Sequence, residues 1–301
     1  MYDPRARLIR IRSRSLGCTK GCYVYLPPEY DAQPRHRFAT LYLLRGHERE
    51  WINPHEDGSR GGTTAIDVYL RLRAEDRIGP LILVFPGMAS DDNHVPALLT
   101  DFRSPVLAAG APGIGSGRFQ HFFFEELMPA LDRRFRTIPA ARAIAGFSLG
   151  GFMAVKAAAL HPDRFVSVGA FDGAFPYASD SGRNARASET LFAPPMFDAP
   201  LGRPRDQEHL SANHPVCLLM RADPTALRRM TWIIQYGPEA LEPWGANFYR
   251  GEYLVRVLAS LGISNAAPVT AIATAQHNWH SADQHLAQTL PLHWQALAAT
   301  R

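Results

Sequence analysis

The chain has 301 residues, of which 46% are hydrophobic and 20% charged, a composition that excludes a largely disordered protein and allows one large α/β domain. Its formal net charge is +4 and its arginines are scattered without interleaved aromatic residues, so we expect no nucleic-acid partner. No apolar run is long enough to cross a membrane and the first residues lack the apolar core of a signal peptide, so we expect a cytoplasmic protein without a membrane span.

The first predicted elements are two strands joined by a tight turn. Residues 8–15 and 22–26 alternate apolar and polar side chains, which is typical of an antiparallel pair with one wet face. The later strands are continuous apolar runs, which indicates burial on both faces and hence a mostly parallel sheet. These runs are residues 38–44, 80–85, 143–145, 166–171, 231–236 and, as the last strand, 269–274.

Helical periodicity lies between these strands. The predicted helices are residues 119–135, 148–160, 251–261 and 282–298. The order of elements predicts a single α/β domain over residues 1–301, with a mostly parallel central sheet and helices on both faces.

Two long irregular stretches, residues 86–118 and 172–213, leave strand ends at the edge where parallel sheets bind ligands. We expect them to form a lid or pocket insertion, the alternative being surface loops without a role in binding. The side chains expected to line the pocket from these stretches are Phe102, Val106, Phe175, Tyr177, Leu191, Phe192 and Phe197.

The most specific motif is Gly146-Phe147-Ser148-Leu149-Gly150, which falls between an apolar strand and a predicted helix. Gly-x-Ser-x-Gly in that context is typical of a nucleophile elbow, where a sharp turn projects the serine hydroxyl into a cleft. The glycines keep side chains away from the turn, and the N-terminus of the helix favours developing negative charge. The motif predicts Ser148 as a catalytic nucleophile, the alternative being a glycine-rich turn.

A nucleophilic serine needs a base, which in α/β hydrolases is a histidine after the last strand. His277 is the histidine nearest the end of the predicted last strand, and it is the predicted base. His280, His285 and His293 follow, and we expect surface or capping roles for them.

The orienting acid is expected after the strand before that histidine, residues 231–236. Glu239 and Glu242 both lie there, and spacing alone does not separate them. Asp172, just past another strand, and Asp223, in a segment typical of a helix cap, are further candidates.

Two backbone amides should stabilise the oxyanion. One is the N–H of Leu149, directly after the nucleophile, and the other comes from the loop after strand 38–44. Arg45-Gly46-His47 occupies that loop, and Gly46 lets the backbone approach the substrate, so the N–H of His47 is the predicted second donor.

At these positions the chain resembles the esterase D / putative esterase group of α/β hydrolases, which includes enterochelin esterase-like proteins, feruloyl esterases and mycolyltransferases. The resemblance covers about residues 23–294 and implies an α/β-hydrolase fold. It is carried by residues 23–30, 41–46 with Trp51, 126–129, 146–151, 161–165 and 277–279.

The resemblance implies specific site residues. Mycolyltransferases have their catalytic Glu five residues before the Asn of a Gly-Ala-Asn segment, so Gly245-Ala246-Asn247 implies Glu242 as the acid and Asp172 as a pocket-wall residue. The same branch supports His47 as an oxyanion donor. The expected pocket residues are Arg45, Gly46, Trp51, Asp172 and Phe147.

Arg45 departs from the family, which commonly has His or Asp before this glycine. Its side chain either binds an anionic group on the substrate or pairs with a neighbouring carboxylate, Glu48 or Glu50.

The sequence therefore predicts a serine carboxylic-ester hydrolase acting on a small-molecule ester through an acyl-enzyme. We expect no cofactor and no metal, and we expect Cys18 and Cys22 to be free thiols in a turn. The alternatives are an acyltransferase with the same acyl-enzyme and a non-catalytic binding protein of the same fold. The sequence indicates neither the oligomeric state nor the acyl and alcohol groups of the substrate.

Overall fold

The computed structural model describes residues 2–175, 192–242 and 245–300. Within these residues, one sheet of seven strands has the order β1-β2-β4-β3-β5-β6-β7. The strands are β1 Arg7–Arg12, β2 Thr19–Tyr25, β3 Phe38–Leu44, β4 Leu81–Pro86, β5 Thr137–Phe147, β6 Ser167–Phe171 and β7 Thr231–Gln235. The pairs β1–β2 and β2–β4 are antiparallel and the other pairs are parallel. The predicted N-terminal pair and the mostly parallel sheet are both confirmed.

Helices connect the strands and agree with the predicted periodicity. The α-helices are α1 Glu29–Ala32, α2 Ala65–Ala74, α3 Phe119–His121, α4 Met128–Arg134, α5 Leu149–Leu160, α6 Asp198–Leu201, α7 Gln207–Asn213, α8 Pro215–Arg221, α9 Pro224–Leu227, α10 Phe248–Ser260 and α11 Trp279–Ala298. Short 3-10 turns lie at Glu50–Ile52, Pro105–Ala108, Pro195–Phe197 and Glu239–Leu241.

The predicted helix over residues 119–135 is continuous but not regular. A π-helical turn, Phe122–Leu127, joins α3 to α4. Pro129 has no N–H to donate to a carbonyl four residues earlier, which is compatible with a wider turn before it.

Apolar side chains cover both faces of the sheet. One core contains side chains of α2 and α11 packed on the sheet, including Tyr69 and Leu286. The other core contains side chains of α5, α8, α10 and the segment 119–134, including Phe152 and Leu254. Burial on both faces explains why every residue of β3 and β4 is buried and why these strands are continuous apolar runs.

The predicted strand over residues 269–274 is not formed. Within this segment Ala271 makes a single bridge to Tyr236, the residue after β7, and Asn265, upstream of the segment, makes another to Trp232 of β7. Between the bridges, the side-chain amide of Asn265 bonds both the N–H and the C=O of Ile234, at 2.9 and 2.8 Å. A side chain therefore takes the place of backbone pairing there, which composition alone did not reveal.

Candidate active site

Ser148 lies at the turn between β5 and α5. Its backbone has φ 58° and ψ −118°, a strained conformation for a residue with a side chain, and its side chain is nearly buried. A Cβ on Gly146 would overlap the backbone of Gly150, and a Cβ on Gly150 would overlap the carbonyl of Leu44. Both motif glycines are therefore required by close backbone packing at the turn, which fits the geometry of a nucleophile elbow.

Three neighbouring strands end at the same edge beside this turn. Phe147 of β5 is paired with Phe171 of β6, and Phe171 with Gln235 of β7. The Ser148 N–H donates to Phe171 O at 3.0 Å, and the Asp172 N–H donates to Gln235 O at 2.8 Å. The register of the parallel sheet thus places Ser148 and Asp172 side by side.

His277 completes the cluster from the segment that precedes α11. Its Nδ1 donates to Asp172 Oδ2 at 2.5 Å, and its ring centroid lies 4.8 Å from that of Phe147, the residue before Ser148. Because Nδ1 carries the hydrogen in this contact, Nε2 is left to accept a proton.

Asp172 is fully buried and its carboxylate is held by backbone groups. Oδ1 accepts hydrogen bonds from the N–H of Gly237 at 3.1 Å and of Asn247 at 2.8 Å, both in the segment after β7. The Asn247 side chain also donates to Asp172 O at 2.9 Å. These donors hold the carboxylate in place against the imidazole.

The expected pairing of Glu242 with His277 is wrong in the structure, because Asp172 occupies that position. Glu242 Oε1 instead accepts the N–H of Tyr249 at 3.0 Å, and burial raises the pKa of the Glu242 carboxyl. Glu239, the other candidate after β7, accepts from the hydroxyl of Tyr249. Asp223, as expected, caps a short helix, through the N–H of Thr225.

In the sequence, the indication that Asp172 belongs to the site is its position directly after an apolar strand. That strand, β6, lies between β7 and the strand that leads into Ser148, and the family pattern indicated the segment after β7 instead. That segment supplies the amides of Gly237 and Asn247 rather than the acid.

The two predicted oxyanion amides differ in their surroundings. Leu149 is the first residue of α5, so its N–H lies outside the helical hydrogen-bond series and at the positive end of the helix. The N–H of His47 donates to Glu50 Oε2 at 2.7 Å, and so does the N–H of Gly46. In this conformation the His47 amide is therefore occupied by a carboxylate.

Of the residues expected to line the pocket, some are buried behind the site and others are partly exposed. Trp51 is buried, donates its Nε1 hydrogen to Leu44 O at 3.0 Å and packs edge-on against Trp279, so it supports the loop from behind. Phe147 is also buried, with its ring between those of His277 and Trp279. Arg45 is partly exposed, and its guanidinium lies 5.2 Å from the Phe147 ring centroid.

A buried ion pair that the sequence did not reveal ties this loop to α11. Arg60 donates from Nε and Nη2 to the two oxygens of Asp283, each at 2.9 Å, and both side chains are almost inaccessible. Arg60 also donates to Trp51 O and lies over the Trp279 ring. The pair fixes the start of α11, two residues after His277.

Of the three histidines predicted to have surface or capping roles, two are buried and one is exposed. His285 and His293 are buried, not superficial: the first donates from Nδ1 to Gln235 Oε1, and the second bonds the Ser167 hydroxyl, each at 2.7 Å. Burial lowers the pKa of each to about 3, so both are neutral at pH 7. His280 is exposed, as expected.

Cys18, Cys22 and Cys217 are free thiols. Among the described residues, no three His, Cys, Asp or Glu side chains lie close enough together to hold a metal ion. No helix in the same residues has the length and hydropathy needed to span a membrane.

The sheet order and the helices on both faces define the α/β-hydrolase fold. The model of the family described as putative esterase matches residues 13–235. The chain belongs to this family, which confirms the resemblance inferred from the sequence.

Known relatives agree with this placement. An esterase of Mycobacterium tuberculosis strain H37Rv is 28% identical over 222 residues, which are 71% of this chain and 43% of that protein. The chain thus spans about two fifths of the length of the curated relatives it matches.

Solved structures share the fold. A ferulic acid esterase has a TM-score of 0.69 at 21% identity and is matched over 99% of this chain and 100% of that chain. An S-formylglutathione hydrolase from Agrobacterium tumefaciens has a TM-score of 0.66 at 18% identity, with the same coverage.

Proposed function

We propose that this chain is a serine carboxylic-ester hydrolase in which Ser148 is the nucleophile, His277 the base and Asp172 the orienting acid. The observation that carries the proposal is the short contact between His277 Nδ1 and Asp172 Oδ2 beside the strained Ser148 turn. Placing a buried carboxylate against an imidazole next to such a serine is the arrangement that activates a hydroxyl for acyl transfer.

In the proposed reaction, Ser148 Oγ attacks the ester carbonyl carbon while His277 Nε2 takes the hydroxyl proton. The tetrahedral intermediate collapses, the C–O bond to the alcohol breaks, and His277 returns the proton to the leaving alcohol. Water then attacks the acyl-enzyme by the same steps and releases the carboxylic acid. Asp172 keeps the imidazole in the tautomer that accepts at Nε2 and stabilises the imidazolium.

The amide of Leu149 is the proposed first oxyanion donor. The amide of His47 is the proposed second donor, and it becomes available where the Glu50 carboxylate turns away from it. A substrate oxyanion and the Glu50 carboxylate compete for the same N–H, because an amide hydrogen serves one strong acceptor well.

We further propose that residues 86–118 and 172–213 restrict the acyl pocket. Lys156 of α5 is buried and donates to Leu99 O and to the side chain of Asn213, each at 2.6 Å, which ties both stretches to the helix behind the nucleophile. The backbone of Ser104 also donates to Ala199 O at 3.0 Å. Stretches anchored in this way favour short or aromatic acyl groups over long chains.

The side chains named for this lining have different positions. Phe102, Phe175, Phe192 and Phe197 are buried, whereas Val106 is 76% exposed and is unsuited to lining a cleft. Tyr177 and Leu191 lie outside the described residues. A series of p-nitrophenyl esters from acetate to palmitate, with feruloyl and acetylated-sugar esters added, tests the preference. Faster hydrolysis of palmitate than of butyrate would contradict a restricted pocket.

The catalytic proposal is tested on whichever of these esters is hydrolysed fastest. Ser148→Ala should lower kcat on the order of a thousandfold or more while leaving the circular dichroism spectrum unchanged, because only binding and oxyanion contacts remain. Ser260→Ala, a serine on α10 whose hydroxyl bonds Val257 O, is the matched control and should keep wild-type kcat. Retention of near wild-type turnover by Ser148→Ala would overturn the assignment.

A further inference from the structure

The side chain of Arg45 lies at the same sheet edge as the proposed triad. Leu44 is paired with Gly146, so the residue after it lies beside the elbow. The Arg45 guanidinium carbon is 5.2 Å from the ring centroid of Phe147, and the His277 ring is 4.8 Å from the same centroid. One aromatic ring therefore contacts both the cation and the proposed base.

Neither carboxylate expected to neutralise Arg45 does so. Glu48 lies 3.1 Å from Nδ1 of His47, and Glu50 accepts the backbone N–H groups of Gly46 and His47. Over the described residues, no carboxylate oxygen lies within 4.0 Å of Arg45, and its Nε is buried without a hydrogen-bond partner. Arg45 thus lies beside the proposed triad and has no acidic partner among the residues that the structure describes.

Another carboxylate lies within electrostatic range of Arg45. Glu56 is affected by the charges of both Arg45 and Glu50, and its own carboxylate accepts from the Asn53 side chain at 2.7 Å. It makes no contact with the guanidinium. Among the described residues, the carboxylates near Arg45 are therefore bonded to other donors, and Arg45 Nε is buried without a partner.

Burying a polar group without a hydrogen-bond partner costs free energy. A ligand that accepts a hydrogen bond from a partly buried cation beside a reaction site offsets this cost. The guanidinium presents planar paired donors that match a carboxylate better than a neutral ether or ester oxygen does. The contact of the guanidinium with the Phe147 ring holds the cation near the proposed base.

We infer that Arg45 is a specificity-determining residue that binds a carboxylate on the substrate, so that the preferred substrate is an ester carrying a free carboxylate remote from the scissile bond. The inference rests on the proposed function and names the substrate class of that site. A bound carboxylate also offsets the positive charge of Arg45 while the imidazolium forms on His277.

The test compares p-nitrophenyl hydrogen adipate with p-nitrophenyl methyl adipate, which differ in one negative charge and little in shape. The wild-type protein should have a kcat/KM at least tenfold higher for the anionic ester, mainly through a lower KM. Arg45→Gln should lower this ratio at least tenfold, and Arg45→Lys should give an intermediate ratio because it keeps the charge but loses the planar fork.

Arg49→Gln is the matched control, since it removes the same charge from the same loop. Arg49 bonds the His47 ring and the Tyr2 hydroxyl, so its donors already have partners and the ratio should stay at the wild-type value. A wild-type ratio near one, or an equal loss of the ratio in Arg45→Gln and Arg49→Gln, overturns the inference.

Failure of the proposed function gives a different result. If the wild-type protein hydrolyses neither ester, the esterase proposal fails, and binding of monomethyl adipate to wild type and Arg45→Gln is then measured by calorimetry. At least tenfold weaker binding to Arg45→Gln supports the carboxylate site, and equal binding overturns it.

Discussion

At the scale of single residues, the site depends on a carboxylate whose partners are far away in sequence. Asp172 is held by the backbone amides of Gly237 and Asn247 and contacts His277, more than a hundred residues further along the chain. A short motif such as the elbow is local and can be read directly. The acid is defined by which strand ends come together, and that information is not local.

The choice of acid gives a direct prediction. Asp172→Asn should lower kcat by about a thousandfold or more, because an amide at this position no longer stabilises the imidazolium and favours the wrong tautomer. Glu242→Gln should change kcat by less than about tenfold, since its carboxylate bonds the Tyr249 N–H instead of the imidazole. Steady-state kinetics on one hydrolysed ester measure both.

The reverse ranking, a severe Glu242→Gln and a mild Asp172→Asn, would show that the acid comes from the segment after β7. Glu239→Gln is the control for removing a carboxylate from that segment, and it should behave like wild type because Glu239 bonds the Tyr249 hydroxyl.

At the scale of elements, the apolar runs predicted most of the strands because both faces of the parallel sheet are covered. The predicted strand over residues 269–274 is wrong: only one isolated bridge forms there, and the Asn265 side chain, upstream of it, bonds the backbone of β7 in place of a ladder. Nothing in the sequence indicated that Arg60 and Asp283 pair, because they lie 223 residues apart. Such contacts depend on the packed arrangement of elements, not on their periodicity.

The Arg60–Asp283 pair should be necessary for the packing of the loop before α2 against α11. Arg60→Met leaves a buried carboxylate without its partner and should lower the free energy of unfolding by about 3–5 kcal/mol. The double variant Arg60→Met with Asp283→Leu should recover part of this loss, since it removes the unpaired charge. Urea unfolding measures the stability of both variants. A double variant no more stable than Arg60→Met would contradict the attribution of the lost free energy to the unpaired Asp283 carboxylate.

At the scale of the whole molecule, buried neutral histidines make stability depend on pH. Burial lowers the pKa of His285 and His293 to about 3 and that of His214 to about 4, from an ordinary value of 6.5. Below pH 6.5 the unfolded chain binds protons that the folded chain does not. Stability is therefore greatest above about pH 7 and falls as the pH drops from 6.5 toward 3, by roughly 1 kcal/mol per histidine for each pH unit.

Chemical unfolding at pH 7.0 and 5.5 tests this dependence. His285→Asn and His293→Asn keep a side-chain N–H near the position of Nδ1 and remove the titrating ring. Each should reduce the loss of unfolding free energy between the two pH values by about 1 kcal/mol, whatever its effect at pH 7.0. An unchanged pH dependence in both variants would mean that these rings are not the groups that take up protons on unfolding.

Activation of Ser148 by His277 and Asp172 should make this hydroxyl uniquely reactive. Labelling of the folded protein with a fluorophosphonate, followed by mass spectrometry of its peptides, measures that reactivity. We expect one adduct, on Ser148, which is absent in Ser148→Ala and forms much more slowly in His277→Asn and Asp172→Asn. An adduct on another serine, or a folded wild-type protein that does not react, would contradict it.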